Sequence, residues 1–266
     1  MDLQLNGKRA LVTGGSRGIG LACARQLARE GCSVMLAARD SEALKAAAAS
    51  IAQEAGTHVV WRVTDTAQDA SVKAMVRAAS SQLGGVDILV NAAAKVAGQA
   101  APPKLAEITD ELFWDDVNVK VMGYLRCARE VAPLMMAQRW GRIVNISGLA
   151  ARQTGSAIGS IRNVGVAALT KNLADELGPH GINATCVHPG LTRTEKTAPL
   201  VAARAAAAGK TPEEIEKGMA SSTILGRLVT AEEVADVVAF LASPRSVSIN
   251  GDAIAVGGGV RGPIYY

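Results

Sequence analysis

A glycine-rich turn between the first predicted strand and the first predicted helix constrains this chain more than any other feature. The apolar run at 9–13 predicts a buried strand, and residues 18–30 predict a helix with one apolar face. The joining segment, Thr13-Gly-Gly-Ser-Arg-Gly-Ile-Gly20, has glycines at 14, 18 and 20. Such glycines allow a tight turn and let the backbone approach a pyrophosphate at the helix N-terminus. The turn therefore predicts a dinucleotide-binding site.

Short apolar runs alternate with amphipathic stretches along the rest of the chain. Further strands are predicted at 33–37, 58–63, 86–91, 141–147, 182–188 and 253–256, and further helices at 41–55, 70–83, 107–136, 159–177 and 231–242. The helix at 107–136 is expected to be interrupted near Pro133. This alternation predicts an α/β fold, a single Rossmann-type doubly wound parallel sheet with helices on both faces. One domain is expected over 1–266, with 191–226 as a partly helical substrate flap; the alternative for that segment is a plain surface insertion.

Composition excludes several classes of function. The 28 Lys and Arg residues against 24 Asp and Glu give a net charge of +4 without a basic run, which favours a small anionic ligand and does not favour nucleic acid. Four separated cysteines without a C-x-x-C pair predict neither a metal site nor disulfides. No apolar run reaches the roughly 18 residues of a membrane helix. The polar N-terminus lacks a signal-peptide pattern, so a cytoplasmic protein without a membrane partner is expected.

The end of the second predicted strand indicates which dinucleotide is bound. An acidic residue at this point usually contacts the adenosine ribose, but here the strand ends Ala37-Ala38-Arg39, and Asp40 follows. An arginine can pair with a ribose 2′-phosphate, and Arg17 in the glycine-rich turn can contribute from the other side. We therefore expect NADP(H) in preference to NAD(H). The alternative is that Arg39 is a solvated surface charge.

Several further motifs accompany the glycine-rich turn. They are Asn91-Ala-Ala93, Asn118, Asn145-Ile-Ser147, Leu169-Thr-Lys171, Asn183, Pro189-Gly190 with Thr194, Gly226-Arg227 with 232–235, and 257–259. Over roughly residues 5–260 this pattern resembles the short-chain dehydrogenase/reductase family. The resemblance implies an oxidoreductase acting on a small molecule, assembled as a homotetramer or homodimer through the long helix and the helix after it.

The same resemblance implies a set of cofactor contacts and no metal. These contacts are Gly14, Ser16, Arg17, Gly18, Ile19, Gly20, Arg39, Val63, Asn91, Ala92, Ala93, Pro189, Gly190, Thr192 and Thr194. Two cofactor-side positions depart from the family pattern. An aspartate that usually meets the adenine is Arg62 here, and the last residue of the Asn-Ala-Ala-Gly motif is Ala94.

The catalytic motif departs from the family pattern most. The family places a Tyr-x-x-x-Lys pair on the helix after the fifth strand, and counting back from Lys171 puts Gly159 and Asn163 at those positions. No tyrosine lies between Tyr124 and Tyr265, and no lysine between Lys120 and Lys171. Loss of a positioned acid–base group typically lowers a rate by about 10² to 10⁴. The usual proton-transfer route is therefore absent.

The remaining family positions give three catalytic candidates. The family's active serine falls at Gly148, so Ser147 is the available hydroxyl, although its neighbouring place on the strand points it to the other face. Asn118 is identified with the family's asparagine on the long helix, which anchors a water relay. Asn163, at the lysine position, can still hydrogen-bond a ribose hydroxyl.

Other groups have the chemistry to replace the missing pair. Ser156, Ser160, Arg162 and Arg152 surround the start of the helix at 159–177, where helix caps are the simpler explanation. His188 follows the sixth strand, as a proton donor or a buried histidine. Lys120 and Tyr124 are interpreted as interface or core residues. Tyr265 and Tyr266 offer a phenol to a neighbouring subunit.

Three functions remain open on the sequence alone. The first is an NADP(H)-dependent oxidoreductase with a non-standard active site, acting on substrates such as activated enones, quinones or imines. The second is a catalytically silent cofactor-binding sensor or partner subunit. The third is a non-redox enzyme, such as a hydratase or lyase, on the same scaffold.

Overall fold

A seven-stranded parallel sheet forms the centre of the computed structural model, which describes residues 1–95 and 102–260. The strands run in the order β3-β2-β1-β4-β5-β6-β9. Their bounds are β1 Arg9–Thr13, β2 Ser33–Ala38, β3 Val59–Val63, β4 Ile88–Asn91, β5 Gly141–Ile146, β6 Ile182–Pro189, β7 Thr192–Arg193, β8 Val229–Thr230 and β9 Ala253–Val256. The short strands β7 and β8 pair with each other in a separate parallel ladder.

Helices cover both faces of this sheet. Their bounds are α1 Gly18–Arg29, α2 Ser41–Ala55, α3 Asp69–Leu83, α4 Asp110–Val117, α5 Gly123–Gln138, α6 Ala157–Leu177, α7 Thr197–Ala208, α8 Pro212–Ala220 and α9 Ala231–Ala242. Buried residues of α1, α2 and α9 form one apolar cluster, and those of α3, α5 and α6 form another. Alternate strand residues serve the two layers: Ala10 and Val12 join the first, and Leu11 joins the second. The predicted fold class is confirmed.

The strand order reverses beside β1, and this reversal locates the cleft. In register, Thr13 lies opposite Ala37 of β2 on one side and opposite Asn91 of β4 on the other. The loops after β1 and β4 leave the sheet at the same carboxyl edge. Ligands of open α/β sheets bind at such a switch point.

The long helical region differs from the sequence prediction. Pro133 lies inside α5, which runs unbroken because Cys127, Val131 and Met135 hold its apolar face against the sheet. The expected interruption near Pro133 is therefore wrong. The irregularity is a π-helical turn at Asn118–Met122, between α4 and α5. Such turns insert extra residues into a helix and often occur at functional sites.

The segment 191–226 contains β7, α7 and α8. Its role as a substrate flap stays a prediction. Within 1–95 and 102–260, none of the helices combines the length and the apolar character needed to cross a membrane.

Candidate active site

Two glycines of the turn after β1 are required by close backbone packing. Gly14 has φ +67°, and a Cβ there would lie 2.6 Å from the carbonyl oxygen of Ala92. A Cβ at Gly20 would lie 2.3 Å from the carbonyl oxygen of Gly14. Any side chain at either position would push the turn away from α1 or from the loop after β4. The sequence pattern thus has a steric cause in the fold.

The turn after β1 is tied to the loop after β4 by a threonine. The hydroxyl of Thr13 accepts hydrogen bonds from the backbone N–H groups of Ala92, at 3.2 Å, and Ala93, at 3.4 Å. The other predicted cofactor residues also lie at the carboxyl ends of strands or in the segments that follow them: Ser16–Gly20 after β1, Arg39 after β2, Val63 in β3, Asn91 in β4, and Pro189, Gly190, Thr192 and Thr194 in or after β6.

The N-terminus of α1 contacts a carboxylate. Arg17 is the N-cap residue and its side chain makes no cap hydrogen bond. The N–H of Gly18 donates instead to Oε2 of Glu195, at 3.1 Å. A helix N-terminus favours anions through its free N–H groups and dipole. The end of α1 where a pyrophosphate is expected is therefore an anion site in this structure, and a glutamate from the loop before α7 occupies it.

After β2 an arginine is exposed, while the neighbouring carboxylate is used as a helix cap. Arg39 is exposed, while Asp40 caps α2 by accepting a hydrogen bond from the Ala43 N–H at 3.1 Å. Asp40 therefore supports the helix, and its capping oxygen is turned toward α2. Arg17 is likewise exposed. The positive side chains at this end are accessible.

A chain of amides joins the carboxyl ends of β4 and β5 to α6. Nδ2 of Asn91 donates to Oδ1 of Asn145 at 2.9 Å, and Nδ2 of Asn145 donates to the hydroxyl of Thr170 at 2.9 Å. All three side chains are buried. These bonds fix the carboxyl ends of β4 and β5, and Ser147 follows directly after β5.

A buried lysine lies at the centre of the site. Nζ of Lys120, from the π-helical turn, donates to the carbonyl oxygen of Ser147 at 2.8 Å and to Oδ1 of Asn163 at 2.9 Å. The hydroxyl of Ser147 donates to the carbonyl oxygen of Asn163 at 2.9 Å. Lys120 is only 5% exposed. The structure thus brings Ser147 and Asn163 together, and joins to them a residue interpreted from the sequence only as interface or core.

Asn118 lies apart from this group. Its Oδ1 accepts a hydrogen bond from Nη2 of Arg126 at 2.8 Å. Residues two apart in a helix lie on roughly opposite sides of its axis. The rotation of the helix about its own axis therefore determines whether residue 118 or residue 120 faces the ends of the strands. In this structure Lys120 faces them. A sequence signal existed: Lys120 and Tyr124, four residues apart, share one helix face.

Tyr124 is held in the core. Its hydroxyl donates to the carbonyl oxygen of Ile146 at 3.0 Å, next to the carbonyl that Lys120 contacts. Burial raises the pKa of Tyr124 well above its ordinary value. A phenol with this environment supports the packing of α5 on β5 and does not release its proton near neutrality.

The burial of Lys120 changes its acidity. Removal of the side chain from water is the main cause that lowers the pKa of Lys120 to about 7, and the nearby Arg162 guanidinium lowers it further. Cys186 and Asp116 act in the opposite direction. Lys120 is thus poised to gain or lose a proton near neutral pH.

Gly148, at the family's serine position, lies beside this group, and Gly159, at the tyrosine position, lies beside Ser156. A Cβ at Gly148 would be 3.2 Å from Nδ2 of Asn163, so this position faces the Asn163 amide. A Cβ at Gly159 would be 2.8 Å from Oγ of Ser156, which caps α6 by accepting from the Gly159 N–H. Ser160 donates to the carbonyl oxygen of Gln153 at 2.9 Å. Both serines therefore support the start of α6.

His188 is a buried, neutral histidine. Its Nδ1 lies 3.9 Å from Sγ of Cys186. Burial, followed by the charges of Arg152 and Lys120, lowers the pKa of His188 to about 4. A group with this pKa is a poor proton donor at pH 7. The two terminal tyrosines, Tyr265 and Tyr266, lie outside the described residues.

Comparison with known proteins identifies the class. The family model described as enoyl-(acyl carrier protein) reductase matches residues 14–261. The 3-oxoacyl-(acyl-carrier-protein) reductase FabG of Aquifex aeolicus is 34% identical over 263 residues, which cover 98% of this chain and 100% of that protein. Together with the parallel sheet and the glycine-rich turn, these matches define an oxidoreductase with a dinucleotide-binding fold. The chain belongs to the short-chain dehydrogenase/reductase family.

Solved structures agree with this assignment. The L-sorbose reductase of Gluconobacter frateurii, complexed with NADPH and L-sorbose, superposes with a TM-score of 0.92 at 30% identity and covers 99% of this chain and 100% of its own. An NAD⁺-bound xylitol dehydrogenase superposes with a TM-score of 0.86 at 28% identity, over 96% of this chain and 100% of its own. Relatives of this fold therefore carry either dinucleotide.

Proposed function

We propose that this protein is an NADP(H)-dependent reductase with a non-standard active site, acting on a small molecule with an activated double bond. The observation that carries the proposal is the cofactor end of the site. Arg39 and Arg17 are exposed there, and Asp40 is engaged as a helix cap.

The arginines support NADP(H) over NAD(H). A guanidinium beside the ribose pairs with a 2′-phosphate through charge-assisted hydrogen bonds, and a carboxylate at the same place would repel it. The relative solved with NADPH agrees with this preference, while the NAD⁺-bound relative shows that the fold alone does not decide it. The predicted contacts after β1, β4 and β6 are proposed to hold the rest of the dinucleotide.

The catalytic end supports a substrate that needs little acid–base help. Bound NADPH would supply a hydride, and negative charge would then develop on the acceptor atom of the substrate. With Gly159 and Asn163 at the usual tyrosine and lysine positions, no phenol from α6 protonates that atom. The side-chain amide of Asn163 is a neutral donor at the family's lysine position, and the hydroxyl of Ser147 is engaged with the main chain of α6. Activated enones, quinones and imines suit such a site better than simple ketones, because their acceptor atoms are protonated more readily.

Binding and turnover test the proposal in that order. Calorimetric titration with NADPH and NADH is expected to give micromolar NADPH binding and much weaker NADH binding. A panel of enones, quinones, imines and ketones is then followed through NADPH absorbance. Oxidation of NADPH by the activated substrates supports the proposal. Absence of binding to either dinucleotide contradicts it.

A silent cofactor-binding sensor or partner subunit is the second candidate. The absence of a tyrosine at position 159 and of a lysine at position 163 favours it, as does Arg62 near the adenosine end. Tight NADPH binding without turnover on any substrate would select this function. Conversion of a substrate without change in NADPH absorbance would indicate the non-redox alternative.

We also propose a homo-oligomer, a tetramer or a dimer. Trp114 of α4 and Ile161 and Val164 of α6 are each at least half exposed. Apolar side chains on two neighbouring helices suit a second copy of the chain. Light scattering after gel filtration tests the assembly, and a monomer at micromolar concentration would contradict it.

A further inference from the structure

We infer that Lys120 is the positioning residue that orients the Asn163 amide toward the substrate and nicotinamide end. This inference rests on the proposed function. It assigns the positive charge of the active site to the π-helical turn between α4 and α5, opposite the helix where the family carries it.

The hydrogen bonds determine the orientation of the amide. Nζ of Lys120 donates to Oδ1 of Asn163 at 2.9 Å, so the amide oxygen faces Lys120 and the amide nitrogen faces away. A Cβ at Gly148 would lie 3.2 Å from that nitrogen and 3.6 Å from the amide oxygen, so the nitrogen is the nearer of the two atoms. The oxygen is thus the end of the amide that Lys120 engages, and Nδ2 lies on the Gly148 side. The nitrogen is therefore a donor available on the side where the family's serine would hold a substrate oxygen.

Two hydrogen bonds fix the position of the Lys120 amine. Its second acceptor is the carbonyl oxygen of Ser147, and the hydroxyl of Ser147 returns to the carbonyl oxygen of Asn163. The three residues form a closed set of bonds between the π-helical turn, the end of β5 and α6. Two acceptors satisfy both N–H bonds of a neutral amine, while an ammonium has a third donor to place.

The charged and titratable neighbours of Lys120 come from every element around it. Arg162 of α6, at the start of the same helix as Asn163, lowers the pKa of Lys120, and Asp116 of α4 raises it. Cys186 of β6 raises it also. Lys120 and Arg152 in turn lower the pKa of His188 at the end of β6. Burial outweighs the rest, so the lysine changes charge near pH 7.

This arrangement couples the lysine charge to the reaction. A protonated Lys120 polarises the amide, and Nδ2 of Asn163 then donates more strongly to an oxygen that gains negative charge. Loss of the proton removes that effect. The rate is therefore expected to fall as pH rises through the pKa of Lys120, without Lys120 touching the substrate.

A titration of the protein without ligand tests the pairing itself. Lysine labelled with ¹³C at Cε is followed by NMR, and Lys120→Met identifies the Lys120 signal. We expect that signal to titrate near 7 and to move upward in pKa by about 1 to 3 in Asn163→Asp, because a carboxylate would face the amine. A Lys120 signal that titrates near its ordinary value, or that ignores Asn163→Asp, overturns the inference.

Affinity and pH profiles test the functional consequence. Lys120→Met and Asn163→Ala are each expected to weaken NADP⁺ binding or kcat/KM by about tenfold, and the double variant by little more than either. The variant K120N/N163K, which moves the lysine to the family's lysine position, is expected to bind NADP⁺ within about threefold of the original protein. Lys73→Met is the control, because Lys73 is an exposed lysine paired with Asp69 on α3.

The pH profile separates positioning from simple packing. The decline of kcat/KM above neutral pH is expected to vanish in Lys120→Met and to move to higher pH in Lys120→Arg. An unchanged decline in Lys120→Met overturns the inference even if NADPH is oxidised normally. Failure of the original protein to bind either dinucleotide would overturn the proposed function alone, and the NMR titration would still decide the pairing.

Discussion

Nη1 of Arg162 lies 2.6 Å from one carboxylate oxygen of Asp116 and 2.7 Å from the other, and this pair joins α6 to α4 beside Lys120. Arg162 is 7% exposed, so its charge depends on Asp116 for compensation. Removing one member of a buried ion pair leaves the other uncompensated and is strongly destabilising.

Asp116→Asn is therefore expected to lower the free energy of unfolding by about 2 kcal/mol or more. Asp115→Asn is the matched control, because Asp115 is 70% exposed and pairs with Lys95 at the surface. Exposed pairs contribute about 0–1 kcal/mol. Urea unfolding of both variants measures the difference, and equal effects would contradict a special role for the Asp116–Arg162 pair.

The buried lysine predicts a pH dependence of stability. The pKa of Lys120 is about 7 in the folded chain and returns to about 10.4 on unfolding, so the unfolded chain binds more protons between these values. The contribution of Lys120 to stability therefore rises with pH from about 7 to 10. Below pH 7 both states are protonated, and the cost of the buried charge is fully present.

Lys120→Met removes that dependence. The difference in unfolding free energy between the original protein and Lys120→Met is expected to shift in favour of the original protein as pH increases from 7 to 10. Urea midpoints at four or five pH values measure it. A constant difference across this range would mean that the amine has an ordinary pKa in the fold.

His188 predicts a second dependence, at acid pH. Its pKa is about 4 in the folded chain and about 6.5 in the unfolded chain, so stability is lost as pH falls from 6.5 to 4. His188→Gln is expected to flatten this part of the stability curve. His180→Gln, on a half-buried histidine outside the site, serves as the control. Parallel acid curves for His188→Gln and the original protein would contradict the prediction.

The contact between Glu195 and the Gly18 N–H predicts competition with the cofactor. A carboxylate at this helix N-terminus opposes a phosphate that needs the same N–H groups. Glu195→Gln is expected to tighten NADPH binding by about two- to fivefold, the equivalent of one charge at a helix end. Calorimetry compares it with Glu213→Gln on exposed α8. Weaker binding in Glu195→Gln would indicate that the glutamate assists the cofactor.

Arg39 predicts the dinucleotide preference. Arg39→Ala is expected to weaken NADPH binding by about ten- to a hundredfold, because a charge-assisted bond to the 2′-phosphate is lost, and to leave NADH binding nearly unchanged. Arg29→Ala, at an exposed arginine at the end of α1, is the control. Equal losses for both dinucleotides would identify Arg39 as a structural residue.

Local patterns in the sequence determined much of this molecule. Apolar runs and amphipathic periods predicted the strands and helices, because each element buries its own face. The glycines at 14 and 20 predicted the turn after β1, and the structure shows the backbone contacts that require them. The absence of a tyrosine at position 159 and of a lysine at position 163 of α6 is likewise a property of the sequence. The sequence did not determine which residues replace them.

The tertiary structure alone decided which side chains meet. Asn118 and Lys120 are neighbours in sequence, and the π-helical turn sets which of them faces the strand ends. A pattern of residue types does not reveal this, because the phase of a helix across an irregular turn depends on how both flanking helices pack on the sheet. The lowered pKa of Lys120 has the same origin, since burial and the charge of Arg162 come from elements distant in sequence. The sequence therefore determined the sheet and its cofactor turn, and packing determined the chemistry of the site.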